Sequence, residues 1–455
     1  MRHHDLVVLG AGSGNAVIDD RFAGLDVAIV EPGPFGGTCL NRGCIPSKML
    51  ARTADVADGV REAGRFDVDA VLGGVRWTEA RERVFGRLDR EAADGEAGRR
   101  RSDFVTVHRG RARFTGEREL LVAGDQGEVR LRGGQIVVAV GSRPVVPAAV
   151  RDSGLPYETS DTVMRRRTPP RHLAVLGGGY IAAELAHVFH TAGSRITVVE
   201  HHHTLLEPQD EAVSRAYTRI ARSRYQVRTG VTLTRLEGEP GRLRLVLDDG
   251  SAVEADTLLV AVGRTPNSDT IDADRAGIAL REDGRIVVDA HQRTTAHGVF
   301  ALGDVCTPVP LKHVANREAQ VVAHNLLNPG DLAVTRHDVV PAAVFTRPQI
   351  AQVGLTEQEC RGRGLEYTTA TRRYADVAYG WALEDTTGFC KVIADPGTRR
   401  LLGAHILGPQ ASTLIQPLAI AMSLGIDAPT LARAPYWIHP ALTEVVANAL
   451  LDLGL

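Results

Sequence analysis

Short apolar runs bounded by glycine recur along this chain, alternating with stretches whose apolar positions fall three or four residues apart. Residues 5–10, "DLVVLG", read as a buried strand, and "AGSGN" leads from it into a helical pattern. Residues 25–31, "LDVAIVE", read as the next strand and end on an acid. The same order returns downstream. "HLAVLGGGYIAAELAHVFHTAGSRITVVE" runs strand, Gly177-x-Gly179-x-x-Ala182, helix, strand, and closes on Glu200. Two such βαβ openings predict an α/β protein with two doubly wound dinucleotide-binding domains.

Between these units, residues 50–100 carry amphipathic helical patterns, and residues 103–138 alternate as short strands ("FVTVHRGRARF", "GEVRLRGGQIVVAVG"). A second β-rich patch, "LRLVLDDGSAVEADTLLVAVG", closes the second unit near Gly263. From about Asp338 a final α+β block mixes strands ("FCKVIAD", "RLLGAHILG") with two helices. No short-period repeat or low-complexity tract interrupts the chain.

Composition narrows the class without naming a chemistry. A chain of 455 residues, 44% hydrophobic and 24% charged, has room for two or three cored domains. A formal charge of −2 gives no reason to expect nucleic acid or an anionic membrane as partner. The start, "MRHHDLVVLGAGSGN", lacks the apolar stretch of a signal peptide, and no apolar run reaches the roughly 18 residues of a membrane span. Five cysteines, an odd and sparse number, do not suggest a secreted disulfide framework, so a cytoplasmic location is expected. Basic residues are nearly all arginine; Lys48, Lys312 and Lys391 are the only lysines.

One of those lysines ends "GGTCLNRGCIPSK", Gly36 to Lys48, where four residues separate Cys39 from Cys44. Zinc would want four ligands, and no second close Cys or His pair completes them. A static disulfide across so small a loop stabilises little by chain entropy. Redox work needs a thiolate, which helix amino termini and nearby cations favour, and Arg42 and Lys48 supply cations close in sequence. The loop therefore favours a redox pair, while Cys306, Cys360 and Cys390 read as buried small hydrophobes. In the first fingerprint Gly10 permits a tight turn and Gly12 lets backbone approach a pyrophosphate. Glu31, 21 residues after Gly10, is placed to accept from a ribose hydroxyl. The third position is Asn15 rather than Gly or Ala. In the second, Glu200 favours the free 2′-hydroxyl of NADH over the 2′-phosphate of NADPH. His201, His202 and His203 follow it; they read as a solvated loop, with no fourth ligand to make a metal site, and partial protonation would soften the site toward phosphate.

"GGTCLNxGCIPSK", both fingerprints, "VFALGD" and "IHPALTE" together resemble the flavoprotein disulfide reductases, the family of glutathione reductase, dihydrolipoamide dehydrogenase and mycothione reductase, over essentially the whole chain. "AGSGN", "LKHVANREAQ", "DVAYGWALEDTTG" and "YWIHPAL" most resemble its mycothione-reducing members. The resemblance implies an FAD-binding domain over 1–150, an NAD(P)-binding domain over 151–270, a central segment over 271–335 that completes the FAD site, and an interface domain over 336–455. It implies that Gly10, Gly12, Gly14, Glu31, Gly37, Thr38, Lys48, Gly141, Asp304 and His313 bind FAD. Gly177, Gly179, Tyr180, Ala182, Glu200, Gly263 and Arg264 would bind the nicotinamide nucleotide, with Tyr180 covering the flavin until the nicotinamide displaces it. Lys48 and Glu184 would pair beside the flavin. Cys44 would be the charge-transfer thiolate and Cys39 the interchange thiol. His439, oriented by Glu444, would be the acid–base, supplied across a homodimer interface, with Pro440 suited to the first position of their helix.

Two departures stand out. Arg42 occupies a position that is usually small and apolar in the family, and is expected to assist a thiolate. Glu200 suggests NADH, whereas the mycothione-reducing members generally use NADPH. The competing assignment is dihydrolipoamide dehydrogenase, whose usual "HAHPT" is absent here, and "NALLDLGL" lacks the carboxyl-terminal cysteine pair of mercuric-ion reductases. A flavin-binding scaffold without activity would leave the cysteine pair and His439–Glu444 idle.

Overall fold

The computed structural model describes residues 1–125 and 127–455. Its first sheet orders its strands Val105–Arg109, Val27–Glu31, Arg2–Leu9, Gly127–Val138, Glu119–Gly124 and Arg111–Gly116. Val299–Ala301 adds a further parallel strand against Gly127–Val138, so this sheet is finished by chain that returns from far downstream. The inner strands, "LVVL" and "VAIVE", are apolar on successive positions because parallel strands are buried on both faces. The second sheet is wholly parallel: Gln226–Thr229, Arg195–Glu200, His172–Leu176, Thr257–Val260, Glu158–Thr159. A two-stranded ribbon, Ser142–Pro144 with Arg264–Pro266, ties the two units together.

The two fingerprint turns are built alike. Gly10 (φ +102°) and Gly177 (φ +107°) each sit where a Cβ would lie 2.4 Å from a carbonyl oxygen, that of Ala139 and Ala261 respectively. Only glycine fits either turn.

Beyond the turns the two units part, and the helix expected after the first fingerprint does not form. Gly177-x-Gly179 opens the α-helix Tyr180–Thr191, but "AGSGN" opens only a 3₁₀ turn, Gly14–Val17, and a second, Asp20–Phe22. Ile18 is extended (φ −95°, ψ 120°), and the Asp19 side chain accepts from the Arg21 amide at 3.0 Å. Such local side-chain bonds compete with helix propagation. Arg99, from the helix Trp77–Arg100, then satisfies the carbonyls that the missing helix leaves: it donates to Asn15 O and Ile18 O at 2.8 Å and to Asn15 Oδ1 at 2.7 Å. Asn15, the irregular third position, thus has a partner of its own.

The last unit is an antiparallel sheet, Ala342–Val344, Ile350–Gly354, Leu401–Leu407, Phe389–Ala394, Thr368–Arg373. Its helices exceed the two expected: Ala411–Leu424, Ala428–Arg433 and Thr443–Leu451 accompany short ones at Glu357–Gly362 and Ala378–Ala382. Brief segments of one or two turns carry too little periodicity to be read. Several large apolar side chains of this unit lie at its surface, among them Ile438 (72% exposed), Leu424 (71%) and Trp381 (64%). Among the described residues no helix is long and apolar enough to cross a membrane.

Candidate active site

Two left-handed glycines, Gly36 (φ +93°) and Gly37 (φ +59°), turn the chain into the short helix Gly37–Asn41, which carries Thr38 and Cys39. The buried Asn41 amide holds this loop by donating to Phe35 O and Gly37 O, both at 2.9 Å. Cys44 is the first residue of the helix Cys44–Arg61. Of the two cysteines it is therefore Cys44 that gains a long helix's amino terminus, which favours its thiolate.

Both residues stand as free thiols lining one cavity, close enough to perturb one another's ionisation. The neighbouring Cys39 side chain, aided by the charge of Lys48 and opposed by burial, draws Cys44 down to about 7. Cys39, with the Cys44 side chain beside it and itself partly buried, is pushed far up. One thiolate and one thiol is the form a reduced exchange pair needs.

The helix carrying Cys44 packs on the helix that begins at Tyr180, with Leu50 and Ala51 in one apolar cluster with Ala182, Ala183 and Leu185. This packing brings Lys48 Nζ to 2.9 and 2.7 Å from the two oxygens of Glu184. Glu184 is buried, and it also accepts from the Phe345 amide at 3.0 Å and from Ser47 Oγ at 3.4 Å. A buried carboxylate so fully bonded escapes most of the desolvation cost that an isolated ion would carry.

Arg42 does not assist the thiols as expected. Its guanidinium lies 3.4 Å from Asp161 and acts on Glu31, whereas the cations acting on the cysteines are Lys48 and Lys312. Trapping reduced protein with iodoacetamide across pH therefore gives the same Cys44 midpoint, about 7, in Arg42→Val as in the parent. In Lys48→Met the midpoint rises by about one unit, since a neighbouring cation is removed. Equal shifts in both variants would overturn this assignment.

The cysteines open on a cavity of about 580 Å³ that runs from Gly10, Gly12 and Glu31 past Thr38 to Gly141, Asp304 and Lys312. A Cβ on Gly37 would lie 2.8 Å from Gly12 Cα, so bare backbone floors the cavity where the two loops meet. Gly14, where a Cβ would lie 2.8 Å from the Ala139 side chain, is held equally tightly. Glu31 accepts from the Ala11 and Gly33 amides, each at 2.7 Å; burial raises its pKa and these amides oppose the rise. An elongated space with an amide-lined glycine floor at one end and thiols at the other fits FAD. His313, expected in this set, turns away: it is exposed, and its Nε2 meets Pro341 O at 2.9 Å. It follows Lys312 on the first turn of the helix Lys312–Leu327, and adjacent helical residues face different ways.

Ser142 is a residue the sequence reading missed. Its hydroxyl donates to Asp304 Oδ2 at 2.7 Å and accepts from Arg264 Nε at 2.9 Å, joining two expected site residues across the ribbon. Its neighbour Gly141, at φ +69°, was the only available signal. Asp161, the partner of Arg42, left none.

At the second fingerprint Gly179 caps the helix, Ala182 is buried, and Tyr180 is 44% exposed at the cavity wall. Gly263, at φ +136°, precedes Arg264 in the turn that enters the ribbon. Glu200 Oε1 accepts from the His202 amide at 2.8 Å and lies 2.8 Å from His201 Nδ1. Glu200, His201 and His202 each bring a possible metal-ligand atom within 4.8 Å of one another. His203 lies instead beside Gly230.

His439 Nδ1 meets Glu444 Oε1 at 2.8 Å, which leaves Nε2 facing outward from a side chain 70% exposed. It lies outside the cavity that holds its own chain's cysteines. Pro440 is not the first helical residue as expected. Bonds of i to i+3 type, Glu444 N to Ala441 O and Val445 N to Leu442 O, close the turn first, and the α-helix begins at Thr443.

A dithiol beside a Lys–Glu pair, at the junction of two dinucleotide folds, defines an oxidoreductase that exchanges electrons with disulfides. The chain belongs to the pyridine nucleotide-disulphide oxidoreductases: residues 4–319 match that family and residues 340–450 its dimerisation domain. More narrowly it is a mycothione reductase homologue, 50% identical over 460 residues to the mycothione reductase of Mycobacterium tuberculosis, with all of both chains covered. The dihydrolipoyl dehydrogenase of Chlamydia muridarum is 31% identical, over 98% of this chain and 96% of that one. Among solved structures, the Cu(II) complex of the HOCl-induced flavoprotein disulfide reductase RclA from Escherichia coli superposes with a TM-score of 0.87 at 26% identity, covering 99% of both chains. The protein is thus an NAD(P)H-dependent flavoprotein oxidoreductase, and the mycothione reductase reading prevails over dihydrolipoamide dehydrogenase.

Proposed function

We propose that this enzyme reduces mycothione, the disulfide of mycothiol, to two thiols, with residues 1–150 and 271–335 holding FAD, 151–270 the nicotinamide nucleotide, and 336–455 forming the interface of a homodimer. FAD, when bound, relays an electron pair from the nicotinamide to the Cys39–Cys44 disulfide. Glu31 and the glycines Gly10, Gly12 and Gly37 would hold its ADP half and Asp304, held by Ser142, its ribityl chain, and the Lys48–Glu184 pair would tune its ring. His439 takes the Cys39 proton, and the Cys39 thiolate attacks the substrate disulfide, breaking its S–S bond and forming a mixed disulfide. The thiolate expelled takes that proton back from His439, whose Glu444 partner holds the imidazole in place. Cys44 then attacks the Cys39 sulfur, which re-forms the protein disulfide and releases the second thiol.

The observation that carries this reading is that Cys39 and Cys44 share one cavity with the Lys48–Glu184 pair, with Cys44 at the start of the helix Cys44–Arg61. The 50% identity to a mycothione reductase selects the substrate. Rates with mycothione, glutathione disulfide and lipoamide test it: mycothione is expected to be turned over fastest, and a preference for lipoamide would sink the assignment.

For the nucleotide, the acid Glu200 at the end of the strand Arg195–Glu200 supports appreciable use of NADH. Steady-state kinetics with both nucleotides decide; a preference for NADPH above about a hundredfold would remove that reading.

A further inference from the structure

The two nucleotide folds of this chain differ in one physical respect. At the second, a helix of 12 residues, Tyr180–Thr191, starts at Gly179 and offers its positive end to a phosphate. At the first, the 3₁₀ turn Gly14–Val17 is four residues long, and its carbonyls are taken up by Arg99. A turn that short has almost no macrodipole. The first site, which the family reading gives to FAD, therefore lacks the usual source of positive potential for the pyrophosphate.

A lysine stands in the gap. The helix Lys312–Leu327 packs on this turn, with Ala319, Val322 and Ala323 in one apolar cluster with Val17 and Ile18. Lys312, its first residue, donates from Nζ to Ser13 Oγ at 2.9 Å, and Ser13 is the residue just after Gly12 in the fingerprint. Both line the cavity. Lys48 pairs with Glu184, and Lys391 with Asp210 and Glu357. Lys312 is the one lysine with no carboxylate partner among the described residues; its hydrogen bond is to a neutral hydroxyl, and its charge also acts on Cys39. In a chain whose basic residues are nearly all arginine, this lysine is half-buried and sits against the fingerprint loop at the cavity wall.

We propose that Lys312, seated on Ser13, is a positioning residue for the FAD pyrophosphate, supplying the positive charge that the first crossover, having no helix, does not. An ammonium suits this task because it meets phosphate oxygens as a compact point charge. The inference rests on the family reading of FAD.

The test is the dissociation constant of FAD, followed by flavin fluorescence on purified holoprotein and its reconstituted apoprotein over a range of salt. Lys312→Met is expected to weaken FAD binding roughly 10- to 100-fold, the worth of a hydrogen bond to a charged group, and to flatten the salt dependence. Lys312→Arg, which keeps the charge, should recover most of the affinity, and Ser13→Ala should lose little. Circular dichroism of each apoprotein shows that the fold is kept. A parental dissociation constant and salt slope in Lys312→Met would overturn the proposal. A parent apoprotein that takes up no FAD would overturn the cofactor reading on which it rests, a different and separable result.

Discussion

Cys39→Ser is expected to purify yellow and to reduce no disulfide. The cavity floor consists of Gly10, Gly12 and Gly37 backbone, and the acid at its far end is Glu31; neither depends on the Cys39 sulfur. Oxidation of NAD(P)H coupled to disulfide reduction should fall by at least about a thousandfold, because the substrate's mixed-disulfide partner is gone. Cys44→Ser should fail equally in turnover, but it leaves Cys39 able to attack substrate once and hold it. Absorbance spectra for bound flavin, with steady-state rates and mass spectrometry for a trapped adduct on Cys39, check all three. Loss of flavin with loss of activity in Cys39→Ser would show a cofactor-binding role instead. Full activity would remove the dithiol mechanism.

The second large effect concerns His439. Its Nε2 faces outward from a side chain 70% exposed and away from its own chain's cavity, in a unit whose surface carries apolar residues such as Ile438 and Trp381. His439→Ala should lose about 10²- to 10⁴-fold in turnover, the range for a general acid–base. Supply across the interface makes a sharper statement. A dimer of one Cys39→Ser chain and one His439→Ala chain, isolated by two different tags, holds one intact site and one doubly defective site. About half the parental rate per dimer is expected, because a two-fold axis makes the two sites equivalent. If His439 served its own chain, neither site would be whole and the mixed dimer would be nearly inactive.

The fingerprint turns, the strands around them and the cysteine loop were legible along the chain because each depends on residues close in sequence. Gly10 and Gly177 each take a positive φ within their own strand–turn unit, although the carbonyls a side chain would strike, those of Ala139 and Ala261, come from later strands, and the spacing to Glu31 and Glu200 is that of a βα crossover. His439 and Glu444, five residues apart, took their role from the family resemblance of "IHPALTE", not from their spacing. Where local signals conflicted, the reading failed. "AGSGN" announces a helix, but Ile18 and Asp19 end it at once, and the outcome depended on Arg99 arriving from 81 residues beyond Ile18 to take the freed carbonyls. Arg42 misled in the opposite direction: two residues from Cys44 in sequence, it turns to Asp161 across the domain junction.

Local spacing thus pointed to two nucleotide folds and a redox pair, and the resemblance of the motifs taken together supplied the class of protein. Tertiary packing decided that Lys48 meets Glu184 and that Arg42 leaves the thiols for Asp161. It also set Ser142 between Arg264 and Asp304, and gave the first fingerprint a lysine in place of a helix. These are encounters between side chains more than 100 residues apart. Their geometry is set by how helices and sheets pack, which no short window of sequence contains.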